Sequence, residues 1–316
     1  MREIGGYIEL DTYSMPMLHE GAIKLNCGRN ALAYLIEAKK IRSILMPKFM
    51  CDSCNGIFEK YNVAVRYYSI DKTFKPIDIK MDPTEWIYVV NFYGQLSNEF
   101  IHEIKNRYKN VILDNAQAYF QMPVEGVDTL YTCRKFFGVA DGAILYTDTV
   151  QDKKMVQDES FERMHFLLGR FERTATEFYS EYAKNNDCFE NEPIKRMSKL
   201  TDNLLHGINY EDVKVKRTMN FNRLHKDLKS INKLSLVAPK GAFMYPFYVE
   251  NGDTVRKKLQ QKKIYIPTLW PNVFDICIEN ELEYCMAKDI LPLPVDQRYN
   301  EKDMEYLIQE VKKCID

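Results

Sequence analysis

Nothing in the 316-residue chain approaches the ~18 consecutive apolar residues of a membrane span. The opening stretch, MREIGGYIELDTYSM, also lacks the apolar core of a secretory leader. The expectation is therefore a cytoplasmic protein with no membrane partner. Excess charge of either sign is missing too: 44 Lys and Arg stand against 45 Asp and Glu, a formal net charge of -1. That balance argues against nucleic acid as a main partner, so any cationic site must be local. The chain has no internal repeat and no low-complexity tract. Gly5-Gly6 before Tyr7 does not fit a dinucleotide GxGxxG and reads as an ordinary turn.

Metal-ligand spacing is also absent. The five histidines, His19, His102, His165, His206 and His225, are scattered. Cys51-Asp52-Ser53-Cys54 has no second CxxC and no HxxxH at ligand distance, so it reads as packing at a helix start. No metal site is expected. The eight cysteines, Cys27, Cys51, Cys54, Cys133, Cys188, Cys277, Cys285 and Cys314, span the whole length rather than framing a small secreted domain. Most read as reduced, buried, small hydrophobes.

What is present is apolar material in abundance, 46% hydrophobic and 13% aromatic. A chain of this length buries roughly 75% of its unfolded surface, enough for one large domain or a large and a small one. From residue 26 to 146 two periodicities alternate. Helical spacing at Ala31 to Lys40 gives way to a short apolar run at 43 to 46 that Pro47 stops, and Cys51 to Tyr61 is again helical. VAVRYYSI and WIYVVNFYG read as strands, Asn98 to Tyr108 as a helix, and NVILDN as another strand. This is the pattern of a mainly parallel sheet covered by helices, an α/β fold. Residues 152 to 230 are predicted strongly helical, with Phe161, Met164, Leu168 and Phe171 on one face and a long helix over Tyr210 to Leu228. After Pro239, YPFYVE, a helix at 253 to 262, IYIPTLW and a last helix suggest a small α/β domain with an antiparallel component. The division expected is a large domain with an N-terminal arm over 1–205, then a linking helix and small domain over 206–316.

Open parallel sheets bind ligands at the carboxyl ends of their strands. Several reactive groups fall there: Asp114 after VIL, Asn91 and Tyr93 after WIYVV, and Lys135 after DTLYT. Asn26-Cys27-Gly28-Arg29-Asn30 leads straight into a helix, where backbone N–H groups and the helix dipole favour an anion, and Thr132 can add a hydroxyl. A lysine, a carboxylate, an anion cradle and the amide of Gln117 together suit pyridoxal 5'-phosphate. That cofactor needs a Schiff-base lysine, a carboxylate for its ring nitrogen and a phosphate seat. Arg134, beside Lys135, is expected to help keep the amine neutral.

The order of these parts resembles a known family. Gly28-Arg29-Asn30-Ala31-Leu32, Pro47 before a helix, Asp114-Asn115-Ala116-Gln117, Lys135 seven residues before Gly142, and the C-terminal IYIPTLWP and LPLPVDQRY look like the DegT/DnrJ/EryC1/StrS aminotransferases. The resemblance implies a fold-type-I transferase and a cytoplasmic homodimer. It implies Lys135 as the Schiff-base lysine, Asp114 as partner of the ring nitrogen, and Gln117 beside the ring. Gly28, Arg29, Asn30 and Thr132 take the phosphate, and Cys51 stands where relatives often stack an aromatic residue. Arg217 and Asn220 are expected to reach the neighbouring subunit's site. The reaction implied is transfer of an amino group, from a donor such as glutamate, to a nucleotide-linked keto-sugar. The other reading is a non-catalytic relative that keeps the fold as a binding or regulatory module.

Overall fold

The computed structural model describes residues 4–190 and 192–315, so the first three residues of the expected arm lie outside the described residues. The first half of the chain runs β1 (Ile23–Leu25), α1 (Gly28–Lys39), β2 (Ser43–Pro47), α2 (Asn55–Tyr61), β3 (Ala64–Ile70), β4 (Pro76–Ile77), β5 (Trp86–Val90), α3 (Asn98–Arg107), β6 (Val111–Asp114), β7 (Asp128–Thr132) and β8 (Ala143–Tyr146). Four helices follow: α4 (His165–Glu172), α5 (Tyr179–Asp187), α6 (Lys199–Leu205) and α7 (Tyr210–Leu228). The chain then makes β9 (Met244–Tyr248), α8 (Gly252–Gln261), α9 (Val273–Ile276), α10 (Leu282–Asp289), β10 (Ile290–Pro294) and α11 (Glu301–Ile315).

Eight strands form one sheet in the order β1-β8-β7-β6-β5-β2-β3-β4. The five strands from β3 through β2, β5 and β6 to β7 are parallel, and β1, β8 and β4 close the edges antiparallel. Central strands of such a sheet have helices on both faces, so alternation disappears. All four residues of β6 are buried accordingly, as are the last four of β5. The helices start and stop where local chemistry says they should. Ser97 caps α3 by accepting from the Phe100 N–H at 3.2 Å, Asn209 caps α7 through Asp212 at 3.1 Å, and α1 ends at Lys40 in the left-handed region.

The main core lies around the sheet, and a second cluster joins Phe221, Leu224 and Leu228 of α7 to β9, β10, α8 and α11. Full burial of each large apolar side chain contributes about 1.5–3 kcal/mol. Trp270, Val273, Met286 and Ile290 return to the main core, which binds the C-terminal third to the sheet. No helix among the described residues is long and apolar enough to cross a membrane.

Two segments differ from the sequence pattern. The strongly helical stretch is interrupted between α4 and α5 and again over 188–190 and 192–198. Its predicted apolar face is split: Met164 is buried in a small cluster with Phe166 and Phe178, while Phe161, Leu168 and Phe171 are exposed. IYIPTLW runs without regular structure: Pro267 and Pro271 lack N–H donors, and β9 pairs instead with ILPLP of β10.

Candidate active site

Register decides which side chains meet. Val90 of β5 lies opposite Asp114 of β6, and Asp114 lies opposite Leu130 of β7. Thr132 pairs with Ala143, which in turn pairs with Leu25 of β1. The ends of β5, β6, β7 and β1 therefore share one edge of the sheet, and Asn91, Asp114, Lys135 and Gly28 all leave from it. The turn after β7 is closed by the Cys133 carbonyl, which accepts from the N–H groups of Phe136 and Phe137, both at 2.9 Å. Chain return into β8 depends on Gly142, whose φ of +115 and approach to Cys133 leave no space for a Cβ. Phe136 and Phe137 are buried beneath this turn, while Lys135 is exposed and its Nζ lies 5.7 Å from the centre of the Phe243 ring.

Asp114 is only 7% exposed. Its Oδ2 accepts from the Tyr88 hydroxyl at 2.9 Å and its Oδ1 from the Ala116 N–H at 2.7 Å. Burial pushes the Asp114 carboxyl above the ordinary carboxylate value, and the Lys135 charge is the main influence pulling it back. Lysine and aspartate are thus electrostatically linked across the edge. Tyr88 went unnoticed in the sequence because it sits inside an unbroken apolar strand. Behind it, Tyr68 donates to the Tyr88 carbonyl at 2.8 Å.

Gln117 is buried, and its Oε1 accepts from the N–H of Tyr93 at 2.7 Å. Tyr93 holds a φ of +54, a conformation a bulky residue rarely adopts, so this amide fixes a strained turn. The side chain of Asn91 completes that corner, donating to Asn115 at 3.1 Å and to Gln121 at 2.8 Å.

The start of α1 has an extended N-cap, Cys27, that provides no side-chain acceptor. Its first turn packs closely on Thr132. A Cβ on Gly28 would fall 2.8 Å from the Thr132 methyl, and the Thr132 Oγ1 is buried with no hydrogen-bond partner. A buried hydroxyl of that kind is costly unless a ligand completes it. Asn30 turns its side chain inward, donating to Asn26 at 2.7 Å and to the Pro193 carbonyl at 2.9 Å.

Cys51 lies further along the edge, in a cleft of about 220 Å³ with Lys48, Asp52 and Asn272, and its Sγ is 3.0 Å from the Ser53 Oγ. Cys54 is fully enclosed behind it, its thiol pushed up by burial and then by the nearby Cys51 and Asp114 charges. Phe49, the nearest aromatic in sequence, packs on Trp270 at 4.4 Å and Phe92 at 5.4 Å, inside the core.

Two expectations need correction. Arg134 does not turn toward Lys135: its guanidinium bonds the Asn186 side chain and lies 4.8 Å from the Phe189 ring centre. Arg217 and Asn220 do not reach outward. Both are buried in their own chain, Arg217 on the carbonyls of Phe136 and Ala242 and on Gln297, Asn220 on those of Val295, Asp296 and Tyr299. A donor-rich side chain inside α7 finds its carbonyls in the segments packed over that helix.

No protein-family profile and no curated protein matches the chain. Its architecture does match solved structures, and the class they define is that of PLP-dependent fold-type-I sugar aminotransferases. CalS13, a sugar aminotransferase from Micromonospora echinospora, superposes with a TM-score of 0.63 at 13% identity, over 94% of this chain and 88% of that one. The putative sugar aminotransferase Spr1654 from Streptococcus pneumoniae, in its PMP form, gives 0.65 at 11%, over 93% and 85%. A DegT DnrJ EryC1 StrS aminotransferase from Brucella abortus gives 0.60 at 15%, over 93% and 86%. At such identities the likeness is one of fold. The fold expected from the resemblance is the fold observed.

Proposed function

We propose that the chain is a pyridoxal-phosphate-dependent aminotransferase that moves an amino group from an amino acid such as glutamate to a nucleotide-linked keto-sugar. The observation that carries this reading is the shared sheet edge. An exposed lysine, a buried carboxylate and the start of α1 beside the unpartnered Thr132 hydroxyl leave from that edge, on a fold known from sugar aminotransferases, and this supports the reading.

The residues fit the cofactor. Thr132 Oγ1 and the first N–H groups of α1, at Gly28, Arg29 and Asn30, would hold its phosphate, with the missing Cβ of Gly28 leaving the space. Asp114 would hold the ring nitrogen, each oxygen already fixed by one donor and each with a lone pair to spare. Gln117 and Cys51 would line the ring. Bound there, pyridoxal phosphate supplies the electron sink that makes an amino acid Cα–H acidic. Lys135 would then have two tasks on this chain's side: its Nζ would hold the cofactor by condensing with its aldehyde, with loss of water, and as a free amine it would carry a proton between the donor's Cα and the cofactor. Phe243 under that amine limits its sweep.

The same reading makes the protein a cytoplasmic homodimer and divides it into 1–205 and 206–316. The second core cluster supports the division, and the outward apolar side chains of 161–171 support the dimer. Borohydride reduction and peptide mapping should place a pyridoxyl group on Lys135, and glutamate alone should convert the bound cofactor to its pyridoxamine form. Labelling of another lysine, or no donor able to convert the cofactor, overturns the reading in favour of a binding module.

A further inference from the structure

Arg29 and Arg134 flank the start of α1 with no carboxylate to neutralise either among the described residues. Arg163 shows what pairing here looks like: it too lies near the Phe189 ring, 5.0 Å from its centre, and it holds Asp158 at 2.7 Å. Arg29 and Arg134 share instead one neutral residue, Asn186 in the last turn of α5. Arg29 donates from Nη2 to its carbonyl at 3.0 Å, and Arg134 from Nη2 to its side-chain oxygen. Each guanidinium has five N–H donors, so this leaves most of them free. The neighbouring Asn185 fastens the same turn by donating to the Ala140 carbonyl at 2.9 Å, in the loop between Lys135 and β8.

Two guanidinium groups held against each other by an amide repel, and burial adds to the cost. Burial pushes the Arg134 pKa down, and the Arg29 charge presses the same way. Arg29 stands in the first turn of α1, and Arg134 comes just after Thr132, whose Oγ1 has no partner; both arginine charges also bear on the Cys27 thiol at the N-cap of that helix. A site that collects two unneutralised cations, open helix N–H groups and an orphan hydroxyl lacks one component, a multiply charged anion.

We propose that Arg29 and Arg134 bind the phosphate dianion of the ligand seated at α1, and that Asn186 is a positioning residue that aims both, so that filling the seat orders α5. This rests on the cofactor reading only for the identity of the phosphate's carrier. It explains why Arg134 turns from Lys135, and it gives the α4–α5 region a part in the site.

The test compares three probes on the purified protein stripped of cofactor: pyridoxal 5'-phosphate, pyridoxal, and inorganic phosphate. Arg134→Gln and Arg29→Gln should each weaken pyridoxal phosphate and inorganic phosphate by roughly 10- to 100-fold, the range for a lost charge-assisted bond. Borohydride-trapped pyridoxal on Lys135 should stay within about twofold of the parent, a result that global damage would not give. Asn186→Leu should reproduce part of the loss with both cations retained. Inorganic phosphate should slow amide exchange over residues 179–187 in the parent and not in Asn186→Leu. Unchanged phosphate affinity in Arg29→Gln and Arg134→Gln, or exchange over α5 indifferent to phosphate, overturns the proposal. Failure of pyridoxal to label Lys135 in the parent overturns the cofactor reading instead, while the inorganic phosphate measurements still decide the arginines.

Discussion

The guanidinium of Arg217 donates from Nη2 to the carbonyl of Phe136, the residue after Lys135, at 3.1 Å. Gln297 donates to the same oxygen at 2.8 Å, and Arg217 holds Gln297 in turn at 2.7 Å. One peptide oxygen beside the candidate lysine is thereby gripped from α7 and from the segment after β10. Arg217 is 2% exposed, and burial lowers its pKa to about 10, which leaves it charged at neutral pH. Arg217→Met should cost about 1–3 kcal/mol in urea unfolding, because it strips donors from buried carbonyls. Gln297→Ala should cost less in stability, since Arg217 keeps its hold on the oxygen.

The seat at α1 predicts opposite effects on folding and binding. Thr132→Val removes a buried hydroxyl that has no partner, so stability should be unchanged or raised by about 1 kcal/mol, while phosphate affinity falls. Gly28→Val should also lose the cofactor, but by occupying the space 2.8 Å from the Thr132 methyl. Equilibrium dialysis with pyridoxal phosphate and urea unfolding together separate the two. Unaltered retention in both variants would remove phosphate from this pocket.

Asp114→Asn keeps the shape of the carboxyl and removes its charge. If Asp114 keeps the ring nitrogen protonated, the glutamate half-reaction should slow by at least 10- to 100-fold, the value of a charge-assisted bond, with pyridoxal phosphate still attached to Lys135. Stopped-flow absorbance reads the rate. A half-reaction at the parent rate would deny Asp114 that role.

The sequence made the shared edge legible because its cues are local: an apolar run, a polar residue at its end, a glycine before the next run. Asp114 and Thr132 end their strands, and Lys135 comes just after β7. Partnerships made across the chain left no such mark. Arg217 meets Phe136 and Gln297 from 81 and 80 residues away, and Arg134 meets Asn186 from 52. Their side chains are long enough to aim in several directions, and only packing selects one. Periodicity likewise identified an apolar face on 161–171 but not whether it faced the core or the outside.

His19 supplies a pH dependence that its scattered place in the sequence concealed. The ring is wholly buried, with Nδ1 3.1 Å from the Tyr146 hydroxyl, Nε2 2.9 Å from the Tyr119 carbonyl, and the Tyr131 ring tilted against it at 4.4 Å. Burial lowers its pKa to about 4, with the Tyr119 carbonyl opposing. With the folded value below the ordinary 6.5, the unfolded chain takes up the proton first. The contribution is therefore complete above pH 6.5 and is lost as pH falls from there toward 4. Between pH 7.5 and 5 this amounts to about 2 kcal/mol. Urea unfolding at both values should show His19→Gln losing less stability than the parent over that interval. Equal slopes would mean that the ring titrates normally.

The outward face of α4 carries the last prediction. Phe171 is 92% exposed, with Leu168 and Phe161 beside it in sequence, and in the N-terminal stretch Ile4, Tyr7 and Ile8 are almost wholly uncovered. An isolated exposed aromatic needs no explanation, but several large apolar side chains uncovered within one short segment do. A second copy of the chain is the partner that the homodimer reading assigns to this face. Phe171→Glu places a charge where that reading requires a dry contact, which should weaken self-association by roughly 10- to 100-fold at an interface anchor. The fold should change by less than about 0.5 kcal/mol, because the side chain is exposed within its own subunit. Light scattering over a dilution series reads association, and urea unfolding of the dilute species reads stability. A parent chain that stays monomeric at tens of micromolar, or a Phe171→Glu variant that associates as the parent does, removes this face from the interface.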